Sequence, residues 1–142
     1  MKTVKQLLST KSSKIFSVSA DVSVLEGLQV MMEKNISALL IMEGRKLSGI
    51  FTERDYARKI ILQGKTSIDT PISEVMTADP ITVYLADSLD HCMQTMTDKH
   101  IRHLPVIENQ ELIGMVSIGD VVKFIIEDQK QTISQLENYI SS

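Results

Sequence analysis

Gly114–Asp120 reads Gly-Met-Val-Ser-Ile-Gly-Asp, and the same pattern occurs 65 residues earlier, where Gly49–Asp55 reads Gly-Ile-Phe-Thr-Glu-Arg-Asp. In both copies a glycine and two apolar residues lead to a hydroxyl residue, and an aspartate follows three positions later. This order is typical of a strand that runs into a helix, with the hydroxyl at the N-cap and the aspartate in the first turn. The unpaired N–H groups and the dipole of such a helix end can hold an anion. The sequence therefore predicts two equivalent anion-binding junctions.

The two copies belong to a longer internal repeat. Residues 15–61 align with residues 80–126 without a gap, and each copy predicts a strand, a serine-capped helix, a two-stranded hairpin and a second helix. One copy is too small to bury both faces of its sheet, so the two should pack on each other about a pseudo-two-fold axis and share a cleft. We predict an α/β fold, sandwich-like in the α+β sense, with two βαββα repeats whose small sheets pack with helices.

The chain divides into four predicted segments: residues 1–64, the first repeat with an N-terminal turn; residues 65–71, a polar linker; residues 72–127, the second repeat; and residues 128–142, a helical extension. In the extension Ile133, Leu136 and Ile140 recur at helical spacing. The second helix of each repeat carries more apolar residues than one pair of repeats can cover. We therefore predict a homodimer, which the extension should strengthen.

Composition disfavours several classes of protein. The 142 residues are 43% hydrophobic and 23% charged, as in a globular chain of about one domain. No apolar run approaches the roughly 18 residues of a membrane span, and no signal-type segment follows the N-terminus, so we predict a cytoplasmic protein with no membrane partner. A net charge of −3, no basic block and only 4% aromatic residues disfavour nucleic acid as a partner.

Catalytic and metal sites are also disfavoured. Ser117, His103 and Asp120 are the residue types of a hydrolase triad, but Gly-x-x-Ser-x-Gly is not the nucleophile elbow Gly-x-Ser-x-Gly. The three histidines and the single Cys92 lack the paired spacing of a structural zinc site. Cys92 sits among apolar helix positions, which favours a buried structural thiol. We predict neither enzymatic activity nor a bound metal.

A βαββα repeat that ends in Gly-apolar-apolar-Thr/Ser-x-x-Asp resembles the cystathionine-β-synthase (CBS) domain, and the tandem pair resembles a Bateman module. The resemblance covers nearly the whole chain, and Thr52–Asp55 and Ile101–Val106 look like the same segments of small stand-alone CBS pairs. Such pairs bind adenine nucleotides, namely AMP, ADP, ATP, NAD or S-adenosyl derivatives. The resemblance implies a regulatory module that binds AMP, or the AMP part of NAD or ATP, and signals energy or cofactor state to an unidentified protein partner.

The resemblance also implies roles for individual residues. In the family the motif aspartate holds the ribose hydroxyls and the motif hydroxyl residue contacts phosphate, which carries over to Asp55 with Thr52 and to Asp120 with Ser117. A carboxylate makes charge-assisted bonds to ribose, each worth about 1.5–3 kcal/mol. The cationic residues expected to meet phosphate are Lys14, Arg54, Arg58 and Arg102. The other expected ligand contacts are Ile15, Ser17, Ala38, Leu39, Thr77, Ile81, His103, Leu104 and Pro105.

The two clefts should be unequal. The second has Arg102 and His103 beside Leu104–Pro105, whereas the first has Ser37–Leu40 at the same places, so we expect the second to bind more tightly. The alternative function is a non-catalytic interaction or dimerisation protein whose ligand clefts are vestigial. Both acids and both hydroxyls are present in this chain, which favours ligand binding.

Overall fold

The elements of the fold follow the predicted order in the computed structural model, which describes residues 2–11 and 14–141; Met1, Ser12, Ser13 and Ser142 lie outside the described residues. The helices are α1 (Val4–Leu8), α2 (Val24–Lys34), α3 (Glu53–Asp55), α4 (Leu89–Lys99) and α5 (Ile118–Ser141). The strands are β1 (Ser17–Ser19), β2 (Ala38–Glu43), β3 (Lys46–Thr52), β4 (Thr77–Ala78), β5 (His103–Glu108) and β6 (Glu111–Ser117). A π-helical segment, Tyr56–Ile61, continues α3, and a 3-10 turn covers Ile72–Glu74.

The sheets reproduce the internal repeat. One sheet has the order β1-β2-β3-β4, and β5 pairs with β6. Ala38 pairs with Thr52 in the first hairpin as His103 pairs with Ser117 in the second, and both hairpins have a register shift at the equivalent place. A single parallel bridge at Val83 stands where β1 stands in the first repeat. The predicted mixed fold of two βαββα repeats is confirmed, with the first strand of the second repeat reduced to that bridge.

Local sequence signals set the ends of the helices. The Oγ atoms of Ser23 and Ser88 accept the backbone N–H group three residues ahead, at the starts of α2 and α4. Both helices end at a left-handed residue, Asn35 with φ 53° and His100 with φ 55°. The second helix predicted for the first repeat is present, but only its first turn, Glu53–Asp55, is α-helical, and Tyr56–Ile61 is π-helical.

The opening segment of each repeat packs in the hydrophobic core of the other repeat. Val4 of α1, at the start of the first repeat, is buried in the core of the second, whereas Ile72 is buried in the core of the first. The backbone bonds match: the N–H of Val4 donates to the carbonyl of Asp87 at 2.9 Å, and that of Ile72 donates to the carbonyl of Val22 at 2.8 Å. The predicted boundaries describe order along the chain, while each core takes its opening segment from the other repeat.

A third apolar cluster joins the two sheets. Its buried members are Ala38, Leu40 and Ile50, and Ile15, Leu47, Leu112 and Met115 pack against them. Because side chains alternate along a strand, the neighbouring Leu39 points into the core of the first repeat instead. The alternation decides which residues of β2 and β5 can face a cleft.

The last helix runs past the second repeat. α5 is continuous for 24 residues, and the predicted helical extension is present as far as Ser141. In residues 2–11 and 14–141, no helix combines the length and the apolar character needed to cross a membrane.

Candidate functional site at the strand-to-helix junctions

At the first junction, both carboxylate oxygens of Asp55 are engaged. Oδ2 accepts the backbone N–H of Thr52 at 2.9 Å and its hydroxyl at 3.2 Å. Oδ1 lies 3.1 Å from Nζ of Lys59 and accepts the hydroxyl of Thr77 at 3.4 Å. The Asp55 side chain is 12% exposed. The protein itself therefore satisfies much of the hydrogen-bonding capacity of this carboxylate.

At the second junction, the contacts converge on one oxygen of Asp120. Oδ2 accepts the backbone N–H of Ser117 at 2.9 Å and lies 2.7 Å from Nζ of Lys11, which also donates to the carbonyl of Met115 at 2.9 Å. Burial raises the pKa of Asp120, but the hydrogen bonds from Lys11 and Ser117 outweigh it and hold the pKa below its usual value. The side chain is 29% exposed, so it is an ionised carboxylate within reach of solvent.

His103 lies where the two repeats meet. Its Nε2 is 3.3 Å from Oγ of Ser37 in the first repeat. Burial lowers the pKa of His103; the charge of Asp120 opposes this, and the charges of Arg102 and Lys11 lower the pKa further. The imidazole is consequently neutral near pH 7 and can act as a donor or an acceptor, depending on its tautomer.

The remaining predicted residues fall into different surroundings. Arg54 donates to the carbonyl of His100 at 2.8 Å, so this cation links the repeats. Leu39 and Leu104 are fully buried in the separate cores of the two repeats, which leaves only their backbone for a ligand. Pro105 is also buried. The exposed members of the predicted set are Arg54 and also Lys14, Ser17, Arg58, Thr77, Ile81 and Arg102.

The structure brings some of the predicted residues together in two groups. Thr52, Asp55 and Thr77 are joined by hydrogen bonds, and Ser117 and Asp120 are joined in the same way next to His103. The ligand contacts predicted for all of these residues stay predictions.

Sequence analysis missed two lysines. Lys59 is four residues after Asp55, and the helical i,i+4 spacing could have revealed the pair. Lys11 is separated from Asp120 by 109 positions, and it lies in a polar connector without periodicity. No sequence signal identifies that partnership.

Two surface depressions do not include the aspartates of the junctions in their lining. One of about 400 Å³ lies on α5, and one of about 490 Å³ lies at the hairpin turns, lined in part by Arg45, Asp79 and Gln110. Neither is lined by Asp55 or Asp120. Among the described residues, no three or more His, Cys, Asp or Glu side chains are grouped so that they could hold a metal ion.

Comparisons with known proteins identify the family. The CBS domain family model matches residues 4–62 and 72–127. The chain is 41% identical over 127 residues to the CBS domain-containing protein CBSX3, mitochondrial, of Arabidopsis thaliana; the match covers 86% of this chain and 62% of that relative, so this chain spans less than two-thirds of its length.

Solved structures agree with this match. A protein with CBS domains from Burkholderia ambifaria MC40-6 is 44% identical, with a TM-score of 0.87 over 90% of this chain and 96% of that chain. The CBS domain pair of protein MJ0100, solved in complex with 5′-methylthioadenosine and S-adenosyl-L-methionine, is 27% identical, with a TM-score of 0.76 over 87% and 99%. The chain belongs to the CBS-domain family and carries two CBS domains in tandem.

Proposed function

We propose that this protein is a regulatory module that binds an adenosine-containing ligand at the junction around Asp120. The observation that carries the proposal is the carboxylate of Asp120, which is ionised and whose contacts with Ser117 and the ammonium of Lys11 fall on one oxygen, Oδ2. The ligands named for the MJ0100 pair, 5′-methylthioadenosine and S-adenosyl-L-methionine, both carry a ribose.

Ribose chemistry suits this carboxylate. Two neighbouring hydroxyls can donate to a carboxylate in charge-assisted bonds. The hydroxyls would take the place of Lys11 on Oδ2, and the side chain of Lys11, already 33% exposed, can move at small cost. The released ammonium would then be available to a phosphate.

The same reasoning makes the first junction weaker. Lys59 and Thr77 hold Oδ1 of Asp55, and Thr52 holds Oδ2. A ligand there must break more protein contacts for the same ribose bonds. This adds a structural reason to the prediction of unequal clefts.

The phosphate and base contacts favour AMP, or the AMP part of NAD, ADP or ATP. The charges of Arg102 and Lys11 lower the pKa of His103, and Lys11 contacts Asp120, so we expect both cations and the neutral imidazole to be within reach of one ligand. Guanidinium and ammonium groups bind phosphate oxygens, and the imidazole can bond to an adenine edge.

Regulation requires that the ligand bind two conformations of the module with different affinity. Displacement of Lys11 would free the connector that follows α1, and α1 packs in the core of the second repeat. The bound state would thereby change a surface that a protein partner can contact.

The second candidate is an interaction or dimerisation protein without a ligand. It is favoured by the exposed apolar side chains of α5, among them Ile133, Leu136 and Ile140, and by depressions whose lining includes neither aspartate.

A thermal-shift and calorimetry panel separates the two candidates. The panel contains AMP, ADP, ATP, NAD, S-adenosylmethionine and 5′-methylthioadenosine, with 2′,3′-dideoxyadenosine as the control that lacks both ribose hydroxyls. A ligand at 100 times its Kd should add about 2.7 kcal/mol to the free energy of unfolding, and the dideoxy control should add almost nothing. Flat melting curves across the panel would rule out nucleotide binding and leave the interaction protein.

A further inference from the structure

The distal half of α5 projects from the body of the protein. Every residue from 129 to 141 is exposed, although the helix continues unbroken to Ser141. A helical segment of this length is marginal in water without tertiary packing. Packing against another surface would stabilise this segment.

The apolar residues of α5 follow a heptad pattern. The positions at alternating spacings of four and three are Val122, Ile126, Gln129, Ile133, Leu136 and Ile140. The five apolar members are between 43% and 81% exposed. Written as a heptad, the isoleucines occupy a positions and the valine, glutamine and leucine occupy d positions. We refer to this stripe as the seam.

The seam is distinct from the face that packs on the body. Val121 and Ile125 pack in and against the core of the second repeat, and at 3.6 residues per turn they lie about a quarter-turn around the helix from the seam. The seam also passes beside the depression of about 400 Å³, whose lining includes Gly119, Val122 and Ile126. An apolar groove is therefore continuous with the projecting part of the seam.

We propose that α5 pairs along the seam with α5 of a second copy, in a parallel, in-register, two-stranded coiled coil. Isoleucine occupies all three a positions of the seam and leucine one of the three d positions, and a β-branched residue at a with leucine at d favours two parallel strands. Five apolar side chains from each copy, at roughly 100 Å² each, bury about 1,000 Å², which reaches the size expected of a specific interface.

The polar residue in the seam decides the orientation. A parallel, in-register pair places Gln129 opposite Gln129 of the second copy, where the two amides can bond to each other. An antiparallel pair with the apolar layers aligned buries each Gln129 against Ile133 of the second copy. The parallel pair avoids an unpaired amide in the seam.

The seam can be tested with matched charges. Ile133→Glu with Ile140→Glu places two carboxylates in the seam, and Gln131→Glu with Asn138→Glu places two at the same spacing on an exposed face outside it. All four side chains are exposed in one copy, so neither double variant should unfold it.

Sedimentation equilibrium at micromolar concentration measures the oligomeric state of each variant. The wild-type protein and the control variant should be dimers, and the seam variant should dissociate at least about a hundredfold more readily, because a charge buried in the seam has no partner. A monomeric wild type, or a seam variant that dimerises like the control, would overturn the proposal. Neither outcome depends on whether a ligand binds.

Oxidative cross-linking tests the orientation. In a parallel pair, Gln129→Cys places two thiols at the same level of the seam, within the Cβ separation of about 3.5–4.5 Å that a disulfide needs. Gln131→Cys, outside the seam, is the control, and the wild type shows the background from buried Cys92. A Gln129→Cys dimer that does not cross-link would contradict the parallel arrangement.

Discussion

The ammonium nitrogen of Lys11 lies 2.7 Å from Oδ2 of Asp120, and the pair joins the connector after α1 to the first turn of α5. Because α1 is itself packed in the core of the second repeat, the N-terminal segment and the second junction form one unit. A ligand that competes for Asp120 must therefore act on this unit.

Lys11→Met should change ligand preference. Removal of the ammonium takes away a phosphate partner, so we expect AMP to bind about tenfold more weakly, the low end for a charge-assisted bond. Affinity for 5′-methylthioadenosine, which has no phosphate, should not fall, because the competitor for Asp120 is also removed. Calorimetry with both ligands measures the ratio of their dissociation constants. Lys5→Met, at an exposed lysine of α1, is the control. Equal losses for the two ligands would contradict a phosphate role for Lys11.

Asp120→Ala and Asp55→Ala should separate affinity from stability. Loss of two ribose bonds at Asp120 predicts binding about a hundredfold weaker, with a folding cost of about 1 kcal/mol for the weakened cap. Asp55→Ala should cost more stability, about 2 kcal/mol, because Lys59 and Thr77 lose their partner. Its effect on affinity should be smaller. Calorimetry gives the loss of ligand affinity in each variant, and urea unfolding gives the loss of stability in each. Equal affinity losses would refute the inequality of the clefts.

The stability of the fold should depend on His103 in mild acid. Its folded-state pKa lies below the ordinary value of 6.5, so the unfolded chain binds the proton first as pH falls. The free energy of unfolding should decrease as pH falls below 6.5 towards the folded-state pKa. Asp120, with a pKa below 3.8, contributes a separate loss only below that value.

His103→Gln keeps a polar partner for Ser37 and removes the titration. Urea unfolding of the wild type and His103→Gln, compared above and below pH 6.5, isolates the effect. The variant should show the shallower dependence. Superimposable pH profiles would mean that His103 does not titrate differently in the folded and unfolded states.

Two repeat-equivalent glycines should tolerate alanine unequally. A Cβ on Gly49 would lie 2.6 Å from Sδ of Met76 and 2.8 Å from the backbone oxygen of Thr77, whereas a Cβ on Gly114 would lie 3.2 Å from the flexible side chain of Leu8. A backbone atom cannot move aside as a flexible side chain can. Gly49→Ala should therefore lower the free energy of unfolding by about 1–3 kcal/mol, and Gly114→Ala should lower it by less than about 1 kcal/mol. Urea unfolding compares them, and a larger loss at Gly114 would contradict this reading of the packing.

Cys92 should be inert in the folded protein. Burial, with a smaller effect from the charge of Asp87, raises its pKa to about 11, and the side chain is fully buried. Since the thiolate is the reactive form, a thiol reagent at mildly alkaline pH should label the folded protein far more slowly than the protein in urea. Rapid labelling without denaturant would show that the helix opens readily or that the thiol is accessible.

The sequence alone was sufficient for the features that depend on residues a few positions apart. The caps at Ser23 and Ser88, the two hairpins and the hydrogen bonds between Thr52 and Asp55 arise from neighbouring residues. The repeat made each of these visible twice, and the motif that ends in Asp55 and Asp120 identified the junctions and the family.

Only the tertiary structure decided which distant groups meet. Strand alternation buries Leu39 and Leu104 in the separate cores of the two repeats. The opening segment of each repeat packs in the core of the other. The folded chain also brings Lys11 to Asp120, although the two are 109 positions apart. These outcomes depend on how two nearly equal halves pack, and a pairing of that kind leaves no periodicity in the sequence. Tertiary structure also makes the contacts of Asp55 and Asp120 different. Asp55 pairs with Lys59 of the same helical segment, whereas Asp120 pairs with Lys11 of the N-terminal segment.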